Sequence, residues 1–330
     1  MQNLSVKRFI PHGELSVDVP ASKSILNRAL ILAALARGTV KLQCGSLCED
    51  TRALLNCLLA LGVQIEQRHD GFTVRGCGGD FPVKNACLNV QSAGTAARFL
   101  PAVLAFCGGE YTFTASEQMQ KRPMDLLKTL SELGTEITFL KDDGHFPFRL
   151  RSAGITAKKI EVQTDVSTQF ASGLLLAGAV SPLTLVLRGE RTAGSYVEMT
   201  FQMLRAFGAT VERNGDEITV FPAEKSPDSY NVEGDFSGAC YFCALALLLH
   251  VKIFIRSASL IGVQGDLQFI NLLQEKGLRL MQTEQGLLAD GEQVTSFTGF
   301  DADFRDFSDQ TMTAAALAPF ATTPSILKNV

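Results

Sequence analysis

A short segment near the start of the chain combines residue types that bind phosphate or carboxylate. It reads Pro20-Ala21-Ser22-Lys23-Ser24-Ile25-Leu26-Asn27-Arg28 and leads into an apolar run at residues 29–34 that predicts a helix. A helix N-terminus offers unpaired N–H groups and partial positive charge, which suit an anion. Ser22 or Ser24 can cap this helix, and Lys23 and Arg28 add positive charge. The alternative is a capped helix with two solvated cations.

Two further predicted helices begin with similar residues. One opens at Gln91-Ser92-Ala93-Gly94-Thr95, where Gly94 lets a ligand approach the backbone closely. The other opens at Asp165-Val166-Ser167-Thr168-Gln169, with three hydrogen-bonding side chains in a row. Arg122, before another helix, adds a guanidinium. Each feature alone is also consistent with plain capping or a surface arginine. Together they suggest one site for a small polyanion that bears phosphate or carboxylate.

These helices belong to a repeat with a period of about seventy residues, which dictates the architecture. In each unit one apolar helix stops at a glycine and leads into a strand, at Gly62, Gly134, Gly208 and Gly277. The other helix of each unit is apolar nearly all round and is therefore expected to be buried. These helices start near Ser24, Gly94, Ser167, Ser237 and Asp309. Strand-forming runs and hairpin turns complete a β-α-β-α-β-β unit, of which the fifth copy has only a helix and a strand.

Composition narrows the class of protein. The chain has 330 residues, 46% hydrophobic and 19% charged, with a net charge of −4, as in a globular protein of two domains. A negative net charge argues against a nucleic-acid partner, and no apolar run reaches the length of a membrane span.

The scattered cysteines are expected to be reduced thiols in the cytoplasm. Cys240 and Cys243 have metal-like spacing, but no second pair or histidine cluster accompanies them, so no metal is expected.

Seven motifs, in order along the chain, carry a family resemblance. They are Ser22-Lys23-Ser24 with Asn27-Arg28-Ala29-Leu30, Ala93-Gly94-Thr95-Ala96 with Arg98, Lys121-Arg122-Pro123-Met124, Ser167-Thr168-Gln169-Phe170, Val232-Glu233-Gly234-Asp235, Gln264-Gly265-Asp266, and Asp309 followed by Met312-Thr313. Together they closely resemble the motifs of the 5-enolpyruvylshikimate-3-phosphate synthases. The sister family that acts on UDP-N-acetylglucosamine fits poorly.

The resemblance implies the fold and the reaction. The fold would be a two-domain inverse α/β barrel, the enolpyruvyl transferase fold, with the active site in the cleft between domains. Residues 1–19 plus 237–330 would form an incomplete first domain, and residues 20–236 a second domain of three repeat units. The reaction would move the enolpyruvyl group of phosphoenolpyruvate to the 5-hydroxyl of shikimate 3-phosphate and release phosphate. It needs no cofactor, and the protein would be a cytoplasmic monomer.

The resemblance also implies the roles of individual residues. Lys23 would contact both substrates, Ser24 and Arg28 would bind the shikimate part, and Ser167 and Thr168 would hold its phosphate. Ser195 would also contact the shikimate part, with Tyr196 as the alternative. Gly94, Arg122 and Gln169 would line the phosphoenolpyruvate site. Asp309 would act as the base toward the 5-hydroxyl.

The chain differs from the family pattern in ways that bear on activity. Gln91-Ser92 replaces the usual Gly-Asn, and family members continue for a further unit that supplies a Lys-Glu pair and arginines. We therefore expect little or no turnover from this chain alone. The alternatives are a catalytically inactive small-anion binding module on the same fold, or a repeat scaffold that binds nothing.

Overall fold

The chain forms two compact units. The computed structural model describes residues 15–156, 159–163, 168–189 and 194–330. The larger unit is Pro20–Glu233, and the smaller one joins residues 15–19 to residues 234–330. The division thus falls between residues 233 and 234, whereas the sequence placed it between 236 and 237.

The strands are short and follow the predicted repeat. They are β1 (Leu15–Asp18), β2 (Thr39–Gln43), β3 (Gln64–Arg68), β4 (Gly71–Arg75), β5 (Asn85–Asn89), β6 (Gly109–Thr114), β7 (Glu136–Phe139), β8 (Phe148–Ser152), β9 (Lys159–Gln163), β10 (Leu183–Arg188), β11 (Thr210–Asn214), β12 (Glu217–Phe221), β13 (Ser229–Asn231), β14 (Lys252–Arg256), β15 (Arg279–Gln282), β16 (Gly286–Asp290), β17 (Asp301–Asp303) and β18 (Ile326–Lys328).

Four of the sheets in the described part of the chain have four strands and one topology. Their orders are β13-β2-β4-β3, β5-β6-β8-β7, β9-β10-β12-β11 and β1-β14-β16-β15. In each, the first two strands are parallel and the last two form a hairpin that pairs antiparallel with the second. The fifth sheet has only the parallel pair β17 and β18. The α/β repeat predicted from the sequence is therefore confirmed.

Two kinds of helix alternate with the strands. The helices are α1 (Lys23–Leu35), α2 (Glu49–Ala60), α3 (Gly94–Cys107), α4 (Glu117–Gln120), α5 (Leu126–Glu132), α6 (Thr168–Ala177), α7 (Ser195–Ala206), α8 (Phe236–Leu249), α9 (Leu267–Glu275) and α10 (Thr311–Leu317). The glycines predicted to stop helices follow α2, α5, α7 and α9, each with a positive φ between 83° and 102°. A residue with a side chain is disfavoured there, which explains the recurrent glycine.

The helices that open each repeat, α1, α3, α6, α8 and α10, are here called the inner helices. In the larger unit α1, α3 and α6 pack against one another. Their apolar side chains are almost fully buried. A Cβ placed on Gly173 in α6 would lie 2.8 Å from the backbone oxygen of Arg98 in α3. Glycine therefore permits the close approach of α3 and α6, which brings their N-terminal turns side by side.

The smaller unit buries its inner helices less completely. α8 packs on α10, β14 and α9, and the exposed fractions of Tyr241, Leu245 and Met312 are 51%, 39% and 77%. Tyr241 and Leu245 lie on α8 and line an apolar groove against Met312 of α10. The prediction that all five inner helices are buried is therefore right for α1, α3 and α6 and wrong for α8 and α10. None of the helices in the described residues is long and apolar enough to cross a bilayer.

Candidate functional site

The N-terminus of α1 carries no acidic residue in its first turn and no side-chain cap. Ser22 occupies the N-cap position, but its hydroxyl makes no capping hydrogen bond. Its backbone N–H donates to the carbonyl oxygen of Glu233 at 2.9 Å. The expectation that Ser22 or Ser24 caps this helix is therefore wrong. The uncapped N–H groups and the partial positive charge of the helix stay available to an anion.

Lys23 begins α1 and lies at the surface. Its Nζ makes an ion pair with Asp50 Oδ2 at 3.4 Å, with 46% of the Lys23 side chain exposed. A half-exposed pair of this kind is weak, so an incoming dianion can compete for the ammonium. Ser24 follows and is half-buried.

Arg28 is buried, with 1% of its surface exposed. Its Nε donates to Thr200 Oγ1 at 2.7 Å, Nη1 to the Ser24 carbonyl at 2.8 Å, and Nη2 to the Tyr196 carbonyl at 3.2 Å. Nη2 also donates to Ser172 Oγ at 3.1 Å. The idea of a solvated Arg28 is therefore wrong: the guanidinium ties α1 to α6 and α7.

The burial of Arg28 has an electrostatic consequence. Loss of water lowers the pKa of the guanidinium to about 10, against a small opposing effect of Tyr196. Because that value is well above 7, Arg28 keeps its charge at neutral pH. The cation also lies 4.9 Å from the ring centroid of Phe99 on α3. A fixed positive charge therefore stands behind the first turn of α1.

Three residues predicted to act together meet at the N-terminus of α3. A Cβ placed on Gly94 would lie 3.6 Å from Gln169 Oε1 and 3.9 Å from Arg122 Nη1. Gln169 is in the first turn of α6, and Arg122 is in the segment between α4 and α5. The N-cap residue of α3, Ala93, has no capping side chain, and its first turn has no acidic residue. Segments far apart in sequence thus surround one uncapped helix end.

A second arginine strengthens the positive potential at this end of α3. Arg98 is 6% exposed, its Nη1 contacts Met119 Sδ at 3.0 Å, and its Nε has no hydrogen-bond partner in the described part of the chain. Burial, and then the charge of Arg122, lower the pKa of Arg98 to about 10. Sequence reasoning noted Arg98 in a motif without giving it a role. Its spacing of one helical turn from Gly94 was the available signal.

The remaining predicted residues divide into three groups. Thr168 is half-buried at the first position of α6, and Ser195 is half-buried at the first position of α7. Ser167 lies outside the described residues. Asp309 belongs to the smaller unit, where it is exposed on a 3-10 helix, Ser308–Gln310, just before α10.

The cysteines do not form a metal site in the described residues. No group of three or more His, Cys, Asp or Glu side chains could hold a metal ion there. All eight cysteines are free thiols. Cys240 and Cys243 are buried in α8, and burial raises the pKa of Cys243 to about 12. Their spacing therefore reflects a buried helix face.

Known proteins of one family match nearly the whole chain. A family model described as EPSP synthase (3-phosphoshikimate 1-carboxyvinyltransferase) matches residues 12–330. The chain is 34% identical to the 3-phosphoshikimate 1-carboxyvinyltransferase of Janthinobacterium sp. (strain Marseille), over 97% of this chain and 74% of the relative. It is 36% identical to the one from Bordetella petrii, over 95% of this chain and 73% of the relative.

Solved structures agree on the fold. The EPSP synthase of Acinetobacter baumannii superposes with a TM-score of 0.77 at 23% identity, covering 95% of this chain and 73% of that one. The enolpyruvyl transferase NikO of Streptomyces tendae gives 0.68 at 18% identity, covering 94% and 75%. The fold is thus that of the enolpyruvyl transferases, and the chain belongs to the EPSP synthase family of transferases.

Proposed function

We propose that this chain transfers the enolpyruvyl group of phosphoenolpyruvate to the 5-hydroxyl of shikimate 3-phosphate and releases phosphate, a step in aromatic amino acid biosynthesis. The observation that carries the proposal is the group formed by Gly94, Arg122 and Gln169 at the uncapped N-terminus of α3. Both substrates carry several negative charges. Fixed positive charges and helix N-termini offset their mutual repulsion.

The phosphoenolpyruvate part of the site consists of Gly94, Arg122 and Gln169. Glycine at position 94 leaves room for the ligand beside the backbone N–H groups of α3. Arg122 is exposed and can swing its guanidinium onto a phosphate or carboxylate. The buried charge of Arg98 stands behind it and raises the local positive potential.

The shikimate 3-phosphate part uses the starts of α1, α6 and α7. Lys23 contacts both substrates, and Ser24, Arg28 and Ser195 (or, in place of Ser195, Tyr196) bind the shikimate part. The hydroxyls of Ser167 and Thr168 hold its phosphate. Arg28 makes four hydrogen bonds within the described residues, and a guanidinium has five N–H donors. Four of its donors are therefore used within the protein, and through the bond to the Ser24 carbonyl Arg28 fixes the backbone of Ser24.

Asp309 is the base in this proposal. It takes the proton of the 5-hydroxyl as that oxygen forms a bond to C2 of phosphoenolpyruvate. The methylene carbon of phosphoenolpyruvate gains a proton, which gives a tetrahedral intermediate. Loss of a proton from the resulting methyl group and cleavage of the C2–O bond to phosphate then form the enol ether, and the proton taken from the 5-hydroxyl leaves with the phosphate. A carboxylate suits the first step because it accepts a proton from a hydroxyl within hydrogen-bond reach.

We also infer the domain organisation, the oligomeric state, the location and the cofactor requirement of the protein. The two compact units correspond to the two domains, the protein works as a monomer in the cytoplasm, and no metal or organic cofactor takes part. The eight free thiols are compatible with a reducing compartment.

Calorimetry and a phosphate-release assay on the whole chain test the proposal. Shikimate 3-phosphate is titrated first, then phosphoenolpyruvate, and phosphate release is followed with both present. We expect saturable binding and slow phosphate release, with Arg122→Ala weakening phosphoenolpyruvate binding at least about tenfold through loss of a charge-assisted contact. Arg68→Ala, at an exposed arginine of the same unit, is the control. Binding without release would indicate the anion-binding alternative, and no binding of either substrate would contradict the proposal.

A further inference from the structure

A buried polar network in the smaller unit surrounds Asp266, to which no role has been assigned above. Asp266 is 5% exposed. Its Oδ1 accepts from Gln310 Nε2 at 2.7 Å and its Oδ2 from Ser237 Oγ at 2.9 Å. The described residues provide no cation for this carboxylate, so neutral donors compensate its burial: the side chains of Gln310 and Ser237 and the backbone N–H of Asp266 itself.

Gln310 is the link between this network and Asp309. It is fully buried, it follows Asp309 directly in the 3-10 helix, and its Oε1 accepts from Thr313 Oγ1 at 3.0 Å. Its amide Nε2 also lies 3.4 Å from the carbonyl oxygen of Ser237. Both ends of the Gln310 side chain are therefore held, and the backbone next to it carries the exposed Asp309.

Gln264, two residues before Asp266, connects the network to the start of α8. Gln264 Oε1 accepts from the backbone N–H of Phe236 at 3.0 Å, and Gln264 Nε2 donates to the carbonyl of Gly234 at 2.9 Å. The segment Gln264-Gly265-Asp266 thus binds the start of α8 with one side chain and the Asp309 turn with the other.

We propose that Asp266 is a positioning residue that holds the 3-10 helix of Asp309 in place through Gln310. The proposal rests on the proposed role of Asp309 as the base. A turn of three residues has few hydrogen bonds of its own, so a buried anchor at its last residue decides where the preceding carboxylate points.

The charge of Asp309 reaches Asp266 electrostatically. Burial raises the pKa of Asp266, the bonds from Gln310 and Ser237 oppose this, and the charge of Asp309 adds to the increase. The other titratable groups near this cluster are Asp235, Cys240 and Tyr241, and none of them brings positive charge.

Hydrogen exchange on the whole chain tests the anchor. Asp266→Asn keeps the shape but puts an amide where Gln310 or Ser237 needs an acceptor. We expect the amides of residues 308–313 to exchange at least about tenfold faster, from the loss of one buried hydrogen bond. Asp290→Asn removes a carboxylate of the same unit that is paired with Lys252 at the surface, and it should leave these amides unchanged. Unchanged exchange in Asp266→Asn would overturn the proposal.

A rescue variant separates positioning from a general structural defect. In Asp266→Asn with Gln310→Glu the hydrogen bond is reversed, since the new amide donates to the new carboxylate, and Ser237 and Thr313 can still donate. We expect the double variant to bring exchange back to within about threefold of the wild type, whereas Gln310→Glu alone places two carboxylates together and speeds it. A double variant that exchanges as fast as Asp266→Asn would contradict the proposal.

The role of Asp309 is measured separately. In Asp309→Asn, carboxyl-carbon NMR should show the pKa of Asp266 lower than in the wild type, because a nearby negative charge is gone. An unchanged pKa would count against the proximity of the two carboxylates. If Asp309→Asn leaves phosphate release intact while Asp266→Asn still frees the turn, the assignment of the base fails and the anchor stands.

Discussion

The inner helices of the two units have similar sequences and different surroundings. In the larger unit α1, α3 and α6 pack as a group of three, and their apolar residues are almost fully buried. In the described part of the smaller unit α8 has only α10 as an inner-helix neighbour, and Tyr241, Leu245 and Met312 remain exposed. An all-apolar helix sequence therefore predicts what the helix can bury, while the number of neighbouring helices decides what it does bury.

The same contrast separates the chemistry of the units. The larger unit presents helix N-termini beside Lys23, Arg28, Arg98 and Arg122. The smaller unit presents a carboxylate, Asp309, on a turn anchored by buried neutral and acidic groups. In the proposed reaction, the cationic groups that bind the anions thus come from the larger unit, and the carboxylate that accepts the proton comes from the smaller unit.

The largest difference is expected between a buried and an exposed leucine of the inner helices. Leu174 in α6 is fully buried, whereas Leu245 in α8 is 39% exposed. Leu174→Ala should lower the free energy of unfolding by about 2–5 kcal/mol, and Leu245→Ala by less than about 1 kcal/mol. Urea denaturation measures both. Equal losses would mean that the groove of α8 is covered in solution.

Arginines provide the next comparison. Arg28→Met in the larger unit should cost about 3 kcal/mol of unfolding free energy, because Thr200, Ser172 and the Tyr196 carbonyl lose a buried donor. Arg256→Met in the smaller unit breaks an exposed ion pair with Asp18 and should cost less than about 1 kcal/mol. Thermal unfolding of the two variants, side by side, ranks them. A harmless Arg28→Met would show that the buried network does not hold the helices together.

Two helix glycines sharpen the comparison further. A Cβ on Gly173 in α6 would meet the Arg98 backbone oxygen at 2.8 Å, whereas one on Gly238 in α8 would have its nearest neighbour at 3.9 Å, on Val19. Gly173→Ala should destabilise by about 1–3 kcal/mol through overpacking. Gly238→Ala should be neutral or stabilise by up to about 1 kcal/mol, because alanine is the better helix former. The difference in melting temperature checks both, and a tolerated Gly173→Ala would disprove tight packing of α3 on α6.

The smallest effect is a pH dependence. The pKa of Asp266 is raised by burial, so the folded protein binds the proton more tightly than the unfolded chain. The stability from this group is complete below the ordinary carboxyl pKa and falls as pH rises through the raised value. The stability advantage of the wild type over Asp266→Asn should therefore shrink from acid toward neutral pH. Melting temperatures of both proteins across that range test this, and an advantage that grows with pH would be the wrong sign.

The repeat made much of the fold readable from the sequence. Glycine-stopped helices and strand-forming runs predicted the common topology of the sheets, because these signals are local. The closeness of Gly94 and Gln169 also followed from symmetry, because related helices in a packed repeat present their starts in the same direction. Arg122 was added to them by the family resemblance. These residues lie in one place in the structure.

Contacts between residues far apart in the chain could not be predicted from the sequence. The burial of Arg28 depends on Thr200, which is 172 residues away, and nothing in the local pattern distinguishes a buried arginine from a solvated one. Ser22 lies at the predicted N-cap position, but its hydroxyl does not cap the helix, and its backbone N–H donates to Glu233. The exposure of α8 and α10 was missed because helix sequence alone does not count neighbours.

The most direct test of the central claim is hydrogen exchange of the whole chain with and without shikimate 3-phosphate. We predict that the ligand slows exchange in the N-terminal turns of α1 and α6, and that adding phosphoenolpyruvate extends the protection to the start of α3. No comparable change is expected at the exposed groove of α8. Binding that leaves all three N-terminal turns unprotected would disprove the proposed site.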